Sequence, residues 1–318
     1  MHKRMKKIIL LPTVLLMIAG LSGLTLAAEL GDTAPDLKIE EWVKGDAVEI
    51  KKGHVYVVEF WATWCPPCRE SIPHLTELQK KHRGKATIIG ISTEPAGTVE
   101  PFVKEKGAEM NYTVAVDKEQ GASADYMESF DVNSIPHAFI VDQQKRIVWH
   151  GNPLSGDFDT TLEKVVAGKY DLEQAIAERK EREKQMKIAN TYFESLVAGK
   201  EAQAKETGEG ILEEYEDSPE FLNMVAWAIL THQALKDEQR DKALALKMAQ
   251  RAVEKTESKD AQLLDTLALA LYESGKVEQA VDKEKLAIKL AEDNDRLRQY
   301  LESRLEKYEN ALDKKKDE

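Results

Sequence analysis

The chain has 318 residues and a mass of 35.8 kDa, with 42 % hydrophobic residues, enough for two domains that each bury an apolar core. Its 45 Lys and Arg stand against 57 Asp and Glu, a formal net charge of -12, which excludes a nucleic acid as partner because that calls for a basic face. Only two cysteines are present, Cys65 and Cys68, which excludes a framework of structural disulfides; no further ligands stand at zinc-site spacing, and no cofactor or metal is expected.

In chain order, the first element reads as an export signal. His2-Lys3-Arg4-Met5-Lys6-Lys7 is basic, Ile8 to Leu26 is apolar with breaks such as Pro12 and Gly20, and Thr25-Leu26-Ala27-Ala28 supplies small residues for cleavage after Ala27 or Ala28. An uncleaved membrane anchor is the alternative, since the run approaches bilayer-spanning length. Either route places the folded part outside the cytoplasm, in the periplasm or cell envelope, where disulfides persist and need managing.

Strand-like and helix-like runs then alternate up to Gly168. Val55 to Phe60 reads as a strand bounded by Gly53, Glu70 to His82 as a helix, and Ala86 to Ser92 as a second strand. Thr98 to Lys106 reads as a helix with Thr98 as its cap, Tyr112 to Val116 as a short strand, and Ala122 to Phe130 as a helix. Ala138 to Val141 and Arg146 to His150 flank a polar turn and read as a hairpin, and Asp157 to Ala167 as a closing helix. This order predicts an α/β fold with a mixed sheet flanked by helices.

Composition changes near Gly168, beyond which Pro219 is the only proline. The rest favours helix nearly throughout, and Asp171 to Glu194 is a charged stretch suited to bridging two domains. Ala245-Leu246 and Ala252-Val253 recur as Ala280-Val281 and Ala287-Ile288, a shift of 35 positions. The second copy runs from Asp260 to Leu290 with a break at Ser274-Gly275; the first has a helix over Phe221 to Leu235 and a turn lengthened by Lys236 to Asp241. Such spacing resembles the paired antiparallel helices of tetratricopeptide repeats, a plain helical bundle being the alternative. Arg296 to Leu312 reads as a terminal capping helix and Lys314 to Glu318 as a solvated tail. The expected divisions are residues 1–28 as signal, 29–168 as the α/β domain, 169–210 as a helical linker and 211–318 as the helical-repeat domain.

The chemistry centres on Phe60-Trp61-Ala62-Thr63-Trp64-Cys65-Pro66-Pro67-Cys68. A Cys-x-x-Cys pair that follows a strand and opens a helix is the pattern of thiol–disulfide exchange. At a helix N-terminus the Cys65 sulfur meets unpaired N–H groups and the positive end of the dipole, which favour its thiolate and call for an accessible sulfur. Pro66 and Pro67 lack N–H groups, suit the first turn and stiffen the loop. Cys65 is then the attacking thiol and Cys68 the resolving one. A passive disulfide closing so short a loop would stabilise little.

Glu59 lies among apolar strand residues. On a central strand its carboxyl is buried, its pKa raised, and it can take the proton of Cys68; on a rim strand Lys51 or Lys85 would satisfy it. Ile135-Pro136 opens the next strand run, with either a cis bond or an ordinary trans turn; a cis proline there offers a backbone edge to an extended substrate. His137 either tunes the cysteines or faces solvent. Trp64 reads as a contact surface and Trp61 as core. The candidate catalytic residues are Cys65, Cys68, Glu59 and Pro136, and the candidate substrate contacts are Trp64, Pro66, Pro67, Ile135 and His137.

From about Leu30 to Gly168 the chain resembles the thioredoxin-like family, in particular its exported TlpA/ResA branch. The resemblance rests on Gly31-Asp32-Thr33-Ala34-Pro35-Asp36, on the Phe60 to Arg69 segment with its cysteine pair, on Pro73, on Ile135-Pro136, and on Phe139-Ile140-Val141-Asp142. It implies a thioredoxin fold with an extended N-terminus, a cis Pro136, Glu59 in place of the family's buried acid, and a reductase role. One position departs from it: many relatives carry glutamate where this chain has Ser71.

The expected function is therefore an exported thiol–disulfide oxidoreductase. It would reduce disulfides of periplasmic client proteins and be recharged by a membrane electron donor, with the helical repeats holding a protein partner. The rival readings are a disulfide oxidase or isomerase, and a redox-sensing scaffold that works through its repeats.

Overall fold

The computed structural model describes residues 27–317, so the expected export signal lies, but for its last two residues, outside the described residues. No helix of the described residues is long and apolar enough to cross a membrane. The chain divides into two compact units between Gln174 and Ala175.

Among the described residues, six strands build the N-terminal unit: β1 (Ile39–Lys44), β2 (Val55–Trp61), β3 (Ala86–Ser92), β4 (Thr113–Asp117), β5 (His137–Val141) and β6 (Ile147–Gly151). They form one sheet in the order β1-β4-β3-β2-β5-β6. β2, β3 and β4 run parallel, whereas β1, β5 and β6 run antiparallel to their neighbours. This is the expected mixed sheet in a thioredoxin-like α/β fold. The helices are α1 (Pro66–Lys81), α2 (Ala96–Lys106), α3 (Gly121–Tyr126) and α4 (Phe158–Val166).

β2 is bonded on both sides, to β3 and β5, and all seven of its residues are buried. Side chains alternate along a strand. Tyr56, Val58 and Phe60 therefore share one face, where they pack with Tyr126 of α3, Phe130 and Phe139. Glu59 turns to the opposite face, where Ser71 of α1 reaches it.

Several boundaries differ from expectation. α1 begins at Pro66 rather than Glu70, with the two prolines in its first turn as the cysteine motif implies. Thr98 is not a cap: α2 starts at Ala96 after Pro95, which puts Thr98 inside the first turn. The helix expected to end at Phe130 ends at Tyr126 and is followed by a short 3₁₀ turn over Glu128–Phe130. β1 carries no clear strand signal, being a half-exposed edge strand with two register shifts against β4.

The second unit is helical, with α5 (Leu172–Val197) crossing the junction, then α6 (Glu201–Glu214), α7 (Pro219–Thr231), α8 (Lys242–Lys255), α9 (Ala261–Glu273), α10 (Val277–Leu290) and α11 (Asp295–Asp317). α7 packs on α8, and α9 on α10. Ala245, Ala252, Ala280 and Ala287 are fully buried, as close helix approach requires. The α9–α10 turn uses Gly275 at φ 74°, a conformation open to glycine, whereas a 3₁₀ turn over Asp237–Gln239 lengthens the α7–α8 link. α11 runs on to Asp317, past its expected end at Leu312, since no proline or glycine stops it.

Candidate active site

The exit of β2 leads through Ala62, Thr63 and Trp64 into Cys65, the N-cap of α1. Cys65 has extended backbone angles, φ -85° and ψ 109°, and its Sγ accepts from the Cys68 N–H at 3.2 Å. Pro66 and Pro67 fill the first two helical positions, so the Cys68 amide is the first N–H of the helix available to that sulfur. The same amide and the positive helix end favour a thiolate on Cys65. Cys65 and Cys68 are joined as a disulfide, with Cα atoms 5.3 Å apart.

Exposure differs from expectation. Cys65 is only 2 % exposed and Cys68 is fully buried, whereas Trp64 is 65 % exposed and both prolines lie at the surface. In the disulfide, Cys65 Sγ turns inward to its partner, and the Ile135 carbonyl oxygen lies 3.9 Å away on another side. Exchange requires an attacking sulfur to reach this one, which stands beside the exposed Trp64 and prolines.

The Ile135-Pro136 bond is cis, with Pro136 buried and Ile135 half-buried. His137 begins β5 and pairs with Phe60. It is half-buried and bonds no cysteine among the described residues: its Nε2 lies 3.0 Å from His150 Nδ1, and the ring packs beside Phe139. Burial pushes its pKa down to about 4, so the ring is neutral at physiological pH.

Glu59 is fully buried, which discards the rim alternative with Lys51 or Lys85. Its Oε1 accepts from the Ser71 hydroxyl at 3.4 Å, and its Oε2 has no partner among the described residues. Ser71 Oγ also donates to the Cys68 carbonyl at 2.8 Å, so one side chain touches both the acid and the resolving cysteine's backbone. Burial raises the Glu59 pKa to about 8, with the Ser71 contact opposing it. A carboxyl poised there can take or give a proton near neutral pH. Trp61 is buried against Phe102, as expected.

Residues 30–150 match the AhpC/TSA family. This stretch is thus similar to a family of thioredoxin-like proteins. The thiol–disulfide oxidoreductase ResA of Bacillus cereus is 28 % identical over 148 residues, covering 42 % of this chain and 82 % of that protein. The thioredoxin-like protein YneN of Bacillus subtilis is 28 % identical over 144 residues, covering 41 % and 81 %. Among solved structures, a thioredoxin-family thiol:disulfide interchange protein from Chlorobium tepidum is 27 % identical over 44 % of this chain and 99 % of its own, with a TM-score of 0.38. The thioredoxin-like unit is thus a thiol–disulfide oxidoreductase unit carrying a Cys65-Cys68 pair.

Sequence reasoning missed two further residues of this unit. Glu94 and Arg69 both bond the loop that delivers Cys65. The available signal is topological: β2 and β3 are parallel neighbours, so their C-terminal ends emerge side by side and Glu94 follows β3 by two residues.

Proposed function

We propose that this protein is an exported reductase of client-protein disulfides in the periplasm or envelope. The observation that carries the reading is the Cys65-Cys68 pair at the N-terminus of α1 with a buried acid, Glu59, behind it. In the reduced form the Cys65 thiolate attacks a client disulfide, forms a mixed disulfide and releases one client thiolate. Cys68 gives its proton to Glu59 and attacks Cys65 Sγ. This expels the second client thiolate and leaves the Cys65-Cys68 disulfide, so two electrons pass to the client.

Pro136 and Ile135 provide the backbone edge for the client segment, and Trp64, Pro66 and Pro67 the exposed rim around it. His137 supports the edge through His150 and stays neutral. A membrane electron donor recharges the pair. The helical unit, from residue 211 onward, holds a protein partner on tetratricopeptide-like helix pairs, a reading supported by the buried alanines of α8 and α10.

The test is capture by the full chain carrying Cys68→Ser. Client proteins are expected to stay attached to Cys65 and to leave on adding a reductant, while Cys65→Ser captures none; equal capture by both variants overturns the exchange mechanism. Partners kept by the Cys65→Ser, Cys68→Ser double variant belong to the helical unit. A midpoint potential near about -270 mV supports reduction of clients, and one near about -120 mV reverses the direction to oxidation.

A further inference from the structure

Three hydrogen bonds converge on one residue of the loop before Cys65. The Thr63 N–H donates to Glu94 Oε2 at 2.6 Å, and the Thr63 hydroxyl donates to Glu94 Oε1 at 2.8 Å. From the other side Arg69 Nε donates to the Thr63 carbonyl at 2.7 Å. Each anchor is itself held. The Glu94 N–H donates to Ser92 Oγ at 3.2 Å, at the end of β3. Arg69 belongs to the first turns of α1, with its guanidinium 5.9 Å from the centre of the Phe102 ring. Thr63 thereby ties the end of β3 to the helix that begins at the cysteines.

The next residue is Trp64, the most exposed large apolar side chain of the thioredoxin-like unit. No hydrogen bond or ring contact among the described residues holds its indole, so its place depends on the backbone on either side. One side is the Cys65 cap and the other is Thr63.

We propose that Glu94, with Arg69 opposite, is a positioning residue for exchange with protein disulfides: it clamps the Thr63 peptide and so presents Trp64 as a preformed docking platform beside Cys65. This rests on the proposed exchange function and adds a determinant of client binding. A preformed platform spares a client the ordering of the loop, so the clamp acts mainly on KM for a protein substrate. A small disulfide that does not touch Trp64 is indifferent to it.

The experiment compares Glu94→Ala and Glu94→Gln in the full chain. Glutamine can keep both bonds, its amide oxygen accepting from the Thr63 N–H and its NH₂ donating to the Thr63 hydroxyl. The probes are insulin, as a disulfide-bearing protein, and 5,5′-dithiobis(2-nitrobenzoate), as a small disulfide. Glu94→Ala is expected to lower kcat/KM for insulin about tenfold, mostly through KM, and to change the small-disulfide rate less than twofold. Glu94→Gln is expected to stay within twofold of wild type on both. Equal losses on both probes, an unchanged insulin KM in Glu94→Ala, or glutamine behaving as alanine overturns the clamp. Hydrogen exchange of the Thr63 amide gives an answer independent of activity: protection in wild type and Glu94→Gln, lost in Glu94→Ala. An unprotected Thr63 amide in wild type refutes the clamp, whereas a protected amide in a chain inert toward both probes refutes the exchange function alone.

Discussion

Replacing Glu59 with glutamine separates the cost of burying this acid from its chemical use. In the fold its pKa stands at about 8, against 4.5 for an ordinary glutamate. A raised pKa means that folding favours the protonated form. The group's stabilising contribution is complete below pH 4.5 and is lost as pH rises towards 8. At pH 7 that loss amounts to about 3 kcal/mol, and over the window stability falls by roughly 1 kcal/mol per pH unit. Glutamine removes this dependence but brings an NH₂ into a site where the Oε2 position has no partner among the described residues, at a cost of about 1–3 kcal/mol. The two proteins' stability curves should therefore cross. Glu59→Gln is expected to be the less stable at about pH 5 and the more stable by ~1 kcal/mol at about pH 7. The assay is urea unfolding of the oxidised chains at several pH values, followed by near-ultraviolet circular dichroism. Parallel curves for the two proteins would falsify the claim that desolvation of Glu59 sets its ionisation. In the reduced enzyme the same variant should resolve the Cys65 mixed disulfide about 100-fold more slowly near neutral pH, the scale of a lost general base.

Glu284 on α10 is fully buried beside Asp265, which is ion-paired to Arg304 at 2.5 Å. Burial first, and Asp265 second, raise the Glu284 pKa to about 9, so its proton is kept through neutral pH and the helical unit weakens as pH rises from 4.5 towards 9. Glu284→Gln should flatten that dependence and raise the helical melting temperature at pH 8; a lower melting temperature at both pH 5 and pH 8 would contradict the assignment. In the β5–β6 turn, the buried Asp142 carboxylate accepts from the backbone N–H groups of Gln144 and Arg146 and from the Arg146 guanidinium. Asp142→Ala is expected to destabilise the thioredoxin-like unit by about 2–4 kcal/mol in urea unfolding, since it removes several bonds and leaves their donors unpaired. Asp260 caps α9 by accepting from Gln262 and Leu263, and Asp260→Ala should cost the helical unit about 1 kcal/mol in the same measurement.

The features legible in the chain are those encoded over short distances. The cysteine pair, its two prolines and the helix they open are neighbours in sequence, so their chemistry follows from spacing. The strand–helix alternation up to Gly168 and the alanine recurrence at 35 positions are local periodicities, and they appear as the mixed sheet and as buried helix faces. β1 escaped notice because an edge strand with one exposed face needs little apolar pattern.

What the fold alone decided depends on which strands become neighbours. Glu59 is a buried acid because β2 is flanked by β3 and β5, a pairing between segments tens of residues apart that no local pattern specifies. The parallel run of β2 and β3 brings Glu94 to Thr63, and the return of β5 and β6 sets His137 against His150 and places the Ile135 carbonyl by the sulfur. Amino-acid order states which reactive groups exist, because that is covalent. Their burial, partners and access are properties of non-local packing, and those quantities tune a thiol or a carboxyl.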